Sequence, residues 1–201
     1  MSQKAEKKQK SHDAILASAA ALLRKQGIRV SSVMDVMKGA GLTVGGFYGH
    51  FDSKEHLFAE TIRSAASTTW NRLLKSATGD SPRDRVLSVI NRYLSPRHRD
   101  NAEAGCMLPS AAPEVAREGE PYRSALEQEL AGFVRSLASL LGEDERSRET
   151  ALGLIALMYG ALSLARAVAG TPLSNDFLRA AKALGARSLT DEDPPSNQPG
   201  T

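Results

Sequence analysis

The 201-residue sequence predicts an all-α protein of about nine helices, and three observations carry that expectation. Apolar residues recur at helical spacing through most of the chain. Gly, Pro and Ser/Thr/Asp signals punctuate that spacing at short intervals. No apolar/polar alternation of strand length occurs. Composition agrees, because 41% hydrophobic and 24% charged residues is ordinary globular usage and supports a core without disulfides or metals.

Taken in order, residues 1–10 are polar and lysine-rich and read as a flexible basic arm. From Ser11, the spacing of Ile15, Ala19, Leu22 and Leu23 predicts a helix that ends at Gly27. Ser32-Val33-Met34-Asp35 is a capping-box pattern opening a second helix, whose apolar face is Val33, Val36, Met37 and Ala40 and whose end is Gly41. Thr43 is expected to cap a short third helix with Val44, Phe47 and Phe51 on one side. Asp52 and Ser53 cap a long fourth helix running to about Lys75. Three helices with two tight breaks in about 40 residues match the economy of a helix-turn-helix module.

Beyond the break at Thr78–Pro82, a fifth helix runs to about Leu94 and Ser95-Pro96 stops it, leaving Arg97–Gly105 as a charged loop. Residues 106–118 suggest an irregular helix around Pro109 and Pro113. Pro121 opens a seventh helix that Gly142 ends. The eighth runs from Asp144 to about Ala169, and the ninth from Leu173 to about Leu189 with a break near Gly185. The eighth is apolar on nearly every side, which implies burial all round, and its Gly153, Gly160 and Ala161 would admit a second helix closely. A second subunit covering one face is the reading favoured for a chain of this size. The acidic, Pro-rich residues 190–201 read as a disordered tail.

Charge is unevenly placed. Residues 1–56 hold nine Lys/Arg against five Asp/Glu, an excess of +4 in a chain whose net charge is +3. The basic excess therefore sits with the helix-turn-helix, as a phosphate-binding end requires. The single cysteine, Cys106, excludes an internal disulfide, and a cytoplasmic location is expected. The most apolar run, Ala151–Ala165, is shorter than the roughly 20 residues of a bilayer span, so no membrane partner is expected. There is no nucleophile–base pairing, phosphate loop or metal-ligand spacing, so neither an enzyme, a cofactor nor a metal is expected.

The pattern Gly27, Val33, Val36, then Leu42-Thr43-x-Gly45-x-Phe47-Tyr48-x-His50-Phe51-x-Ser53-Lys54-x-x-Leu57 resembles the signature of TetR-type transcriptional regulators over about 31 residues. The resemblance implies a three-helix DNA-binding domain (residues 11–57) and a larger helical effector-binding and dimerisation domain (residues 58–189). It also implies a homodimer built on the last two long helices, and repression of a palindromic operator relieved by a small molecule. By resemblance, Tyr48 and His50 point at phosphates of double-stranded DNA, and Gly45 and Gly46 face the major groove.

The residues themselves add to this. Thr43 can cap or bond a phosphate, and Val44 can touch a thymine methyl. Lys38 and Arg29 can reach the backbone. Gly45 and Gly46 each cost on the order of 1 kcal/mol inside a helix relative to Ala, a cost that a close approach of DNA would justify and tight internal packing would also explain. Lys54 is a cation at the positive end of a helix dipole, which a bound phosphate would make favourable. An effector cavity is expected among the fourth to eighth helices, lined by Trp70, Tyr93, Cys106, Met107, Phe133, Met158 and Tyr159 and suited to a hydrophobic or weakly polar ligand. The alternatives are a redox- or electrophile-responsive regulator using Cys106, or a helical small-molecule-binding protein without DNA function.

Overall fold

The computed structural model describes residues 2–103, 105–142 and 144–190. Among the described residues there are nine α-helices and one short 3₁₀ helix. They are α1 (Gln3–Val30), α2 (Val33–Gly39), the 3₁₀ segment (Val44–Gly49), α3 (Lys54–Lys75), α4 (Pro82–Tyr93) and α5 (Pro96–Asp100). Then come α6 (Leu108–Glu118), α7 (Tyr122–Ser139), α8 (Glu145–Ala167) and α9 (Pro172–Arg187). The expected tail lies outside the described residues.

Several boundaries move from their sequence positions, each for a local reason. The expected flexible arm is instead the first two turns of α1, fully exposed, with Ser2 Oγ accepting the Ala5 N–H at 3.3 Å. Ser95-Pro96 does not only stop α4: Ser95 accepts the His98 N–H, and Pro96 opens α5, so the charged loop is partly helical. Gly185 does not interrupt α9. It is buried, and a Cβ there would press on Ile90 Cδ1 at 3.1 Å, so its smallness lets α9 seat against α4.

The amino-terminal helices close around Ile15, Leu23, Val36, Phe47, Phe51 and Leu57, all buried. Phe47 and Phe51 stack at 5.8 Å and hold the 3₁₀ segment down. His12 Nε2 lies 2.7 Å from Glu60 Oε1, fastening α1 to α3. From there α3 continues along the same core into the carboxy-terminal helices, packing on α7 with Trp70 against Phe133 at 4.3 Å.

Gly27 governs how α1 meets the carboxy-terminal body. Its φ of 85° and ψ of 179° lie in a region essentially reserved for glycine and break α1 one turn before its end. The break strands the Ile28 N–H and the Gly27 carbonyl. Glu114 of α6 accepts the first at 2.6 Å, and Ser31 Oγ donates to the second at 2.6 Å. Two further bonds join α1 to the same region: Arg24 Nε donates to the Gly105 carbonyl at 3.0 Å, and Ser110 Oγ to the Arg24 carbonyl at 3.3 Å.

α8 is not buried all round. Leu154, Ile155, Met158 and Leu162 face α7 and α9, while Leu152, Gly153, Ala156 and Leu164 are exposed and Gly160 is half-exposed. A Cβ at Gly153 or Gly160 would meet nothing within 4 Å. With the exposed Leu173 and Leu184 of α9, these residues form an apolar face that the other described residues leave uncovered.

Candidate nucleic-acid interface and effector cleft

The helix-turn-helix is assembled from α2, the turn at Ala40–Leu42 and the 3₁₀ segment. Ser32 caps α2 by accepting the Asp35 N–H at 3.1 Å, and its hydroxyl donates to Asp35 Oδ2 at 2.6 Å, so the carboxylate reaches back to the hydroxyl. Thr43 departs from expectation: its side chain makes no cap bond, and the residue is exposed at the head of the 3₁₀ segment. Its hydroxyl is thus available to an external acceptor.

Thr43, Val44, Gly45, Gly46, Tyr48 and Gly49 are all exposed, and Tyr48 is 76% exposed. A Cβ on Gly45 would meet nothing within 4 Å, and one on Gly46 would meet only the Met37 Cε methyl at 3.9 Å. Packing inside the chain therefore requires neither glycine. Lys38 is exposed on α2 beside this face.

His50 sits at the rim with Nδ1 buried and without a partner among the described residues, which favours the proton on Nε2. Burial, with His12 and Lys8 nearby, lowers its pKa, so the ring is neutral. Ser53 alone caps α3, through the His56 N–H at 3.1 Å, while the Asp52 N–H donates to His56 Nδ1 at 3.3 Å. Lys54 Nζ donates to the Arg29 carbonyl at 3.2 Å. Its charge therefore lies against the C-terminal, negative end of α1, which relieves the dipole conflict without a phosphate.

Of the seven residues expected to line a cavity, Trp70, Cys106, Met107, Phe133 and Met158 are core and Tyr159 is half-buried against it. The Cys106 thiol is 1% exposed and accepts the Leu108 N–H at 3.4 Å. Only Tyr93 lines a cleft of about 570 Å³ between α3, α4 and the α5 segment. Its wall is otherwise Arg72, Leu73, Arg92, Arg97 and His98, with small polar residues between them. Sequence reasoning missed Arg97 and His98 as cleft walls because Arg97–Gly105 read as a charged loop, and Arg72, Leu73 and Arg92 because they lie on two separate helices. The surviving signal was a run of Arg and His after a Ser-Pro cap.

His98 is fixed from both sides. Nδ1 donates to the Tyr93 carbonyl at 2.7 Å, and Nε2 accepts the Cys106 N–H at 3.0 Å, so the ring is held neutral. Burial lowers its pKa against the bond to the Tyr93 carbonyl, which raises it, and Arg166 and Arg72 add to the lowering. Arg166 braces the segment from behind, donating to the carbonyls of His98 (2.9 Å) and Arg99 (3.2 Å). In the unfolded chain the imidazole returns to an ordinary value near 6.5 and takes up its proton first as pH falls. Stability present above about pH 6.5 is thus lost as pH drops toward the lowered native value. The urea midpoint is expected to fall between pH 7.5 and 5.5, and to fall less in His98→Gln; an identical fall in the variant would refute the assignment.

The chain matches the model described as bacterial regulatory proteins, tetR family, over residues 15–61, and that described as tetracyclin repressor-like, C-terminal domain, over residues 82–181. It is 28% identical over 138 residues to the HTH-type transcriptional repressor NemR of Escherichia coli (strain K12), covering 67% of each chain. It is 41% identical over 49 residues to the HTH-type transcriptional repressor KstR2 of Mycobacterium tuberculosis, 24% of each chain. The fold is similar to the crystal structure of a TetR transcriptional regulator from Chloroflexus aurantiacus, with a TM-score of 0.77 at 24% identity over 92% of this chain and 97% of that one. Two matched segments, the first containing the helix-turn-helix and the second covering most of the carboxy-terminal helices, place this chain in the TetR family of bacterial DNA-binding regulatory proteins.

Proposed function

We propose that the protein is a homodimeric transcriptional repressor, acting in the cytoplasm and released from a palindromic operator by a small-molecule effector. Residues 11–57 carry the DNA contacts, and residues 58–189 carry the effector site and the dimer. The observation that carries this reading is the 3₁₀ face, where Val44, Gly45, Gly46 and Tyr48 stand exposed with no internal use for the two glycines. Such a surface lets backbone approach a groove closely, with Tyr48, His50, Lys54, Thr43 and Lys38 at its edges to meet phosphates.

The apolar face of α8 and α9 supports the dimer. Its glycines permit close helix contact, and a two-fold pair of heads suits two half-sites. The deciding experiment titrates the purified protein onto duplex DNA flanking its own coding region, with its mass in solution measured in parallel. Salt-sensitive binding to a protected palindrome by a dimer is expected. A protein that stays monomeric at micromolar concentration, or binds no such duplex at low salt, is not this repressor.

Replacing both Gly45 and Gly46 with Ala separates groove approach from packing. The fold has room for both methyls, so thermal stability is expected to hold or rise slightly. DNA affinity is expected to fall about tenfold, read by fluorescence anisotropy; unchanged affinity would show that the glycines do not meet DNA.

A further inference from the structure

We propose that the cleft between α3, α4 and α5 is the effector site, and that its ligand is an organic anion whose carboxylate or phosphate group sits among Arg72, Arg92 and Arg97. The proposal rests on the repressor reading above and gives its effector a chemical class.

The cleft carries positive charge without compensation among the described residues. Three arginines from three helices line the same cleft, and among the described residues no Asp or Glu lines it. Among the described residues none of the three lies within 4.0 Å of a carboxylate, whereas Arg99, Arg148 and Arg179 pair with Asp100, Glu145 and Asp176. Behind the wall, half-buried Arg24 and Arg166 spend donors on the carbonyls of Gly105, His98 and Arg99, and among the described residues neither pairs with a carboxylate. Like charges gathered round one concavity repel one another and attract an anion. A planar guanidinium is also the donor best matched to a carboxylate or phosphate.

The rest of the cleft sets the shape of the ligand. Leu73 and Tyr93 give it an apolar floor, and about 570 Å³ is room for a small molecule with a hydrocarbon or aromatic body. His98 is no ligand group, since both ring nitrogens are already bonded within the chain. The second cavity, about 530 Å³ between α7 and α8, differs in kind. Glu127 stands among its arginines, and Arg148 is paired with Glu145. Occupancy of the first cleft bears on Gly105, whose carbonyl holds Arg24 of α1, so the site is wired to the DNA-binding end.

The test titrates the full chain with octanoate, octyl phosphate and octan-1-ol by isothermal calorimetry. At least one anion is expected to bind about tenfold or more tightly than the alcohol, and the ratio of the two anions distinguishes carboxylate from phosphate. Arg72→Gln combined with Arg97→Gln is expected to weaken that anion by roughly ten- to a hundredfold, with Arg92→Gln as a second, independent variant. Arg135→Gln, in the other cavity, should change nothing. Circular dichroism melts establish that each variant folds. Binding of octanol as tight as the anions, no anion binding by wild type, or unchanged anion affinity in the double variant overturns the proposal. Duplex binding without ligand is measured separately. Anion binding without duplex binding sinks the repressor reading alone, and the reverse sinks the cleft alone.

Discussion

Tyr48→Phe lowers operator affinity about a hundredfold while leaving its salt dependence unchanged; this is the expected result if the exposed hydroxyl donates to a phosphate. The ring is held edge-on to Phe47 at 5.2 Å and survives the substitution, so only the hydroxyl is removed. A hydrogen bond to a charged group contributes about 1.5–3 kcal/mol, and a dimer loses it twice, which is about 3 kcal/mol or more. Tyr48 carries no charge, so no counterion is involved. Lys54→Ala provides the contrast. If Lys54 also neutralises a phosphate, the slope of log affinity against log salt becomes shallower by about 0.9 per subunit, or about 1.8 for a dimer. Lys54→Ala also gives up the bond to the Arg29 carbonyl, so some stability is expected to go with it. Anisotropy titrations from low to physiological salt separate the two residues. Equal affinity of wild type and Tyr48→Phe would remove the hydroxyl from the interface.

Gly27→Ala is expected to cost about 3–5 kcal/mol in urea unfolding, a large share of the roughly 5–15 kcal/mol that stabilises a domain. Two effects add. The backbone conformation at φ 85°, ψ 179° is strained by about 1–3 kcal/mol for any residue with a Cβ. The new methyl would also overlap the Glu114 carboxylate, displacing the acceptor of the Ile28 N–H and exposing a bond to a charged group worth about 1.5–3 kcal/mol. Glu114→Gln keeps the volume and the acceptor oxygen but not the charge, so it should lose less than half as much. A Gly27→Ala protein within 1 kcal/mol of wild type would mean that α1 and α6 are not locked here.

The helical class and the order of elements were readable because local rules and global fold agree along most of the chain. Ser32, Ser53 and Ser81 cap the helices they precede, and the apolar faces of α1, α2 and α3 turn inward as their spacing requires. The exposed face of the 3₁₀ segment was legible for the same reason: its residues lie within one local motif. The arginine-lined cleft was not. Arg72, Arg92 and Arg97 come from three helices and meet only in the folded chain. Bulky side chains such as Trp70 and Met158 proved to be core, since helical spacing cannot tell a core face from a cavity wall. The role of Glu114 was equally hidden, because its partner at Ile28 is 86 residues away.

The length of α1 gives its Gly27 break a mechanical meaning. From Gln3 to Gly27 the helix is a rod of about 36 Å, anchored at one end by Glu114 and Arg24 and carrying Lys4, Lys7 and Lys8 at the other. A tilt of about 5° at the anchored end sweeps the free end through about 3 Å, as long as a hydrogen bond itself. α1 is thereby a lever arm with its fulcrum beside the arginine cleft. A small adjustment at the fulcrum is thus magnified at the basic tip, next to the head that His12 and Glu60 fasten to α1.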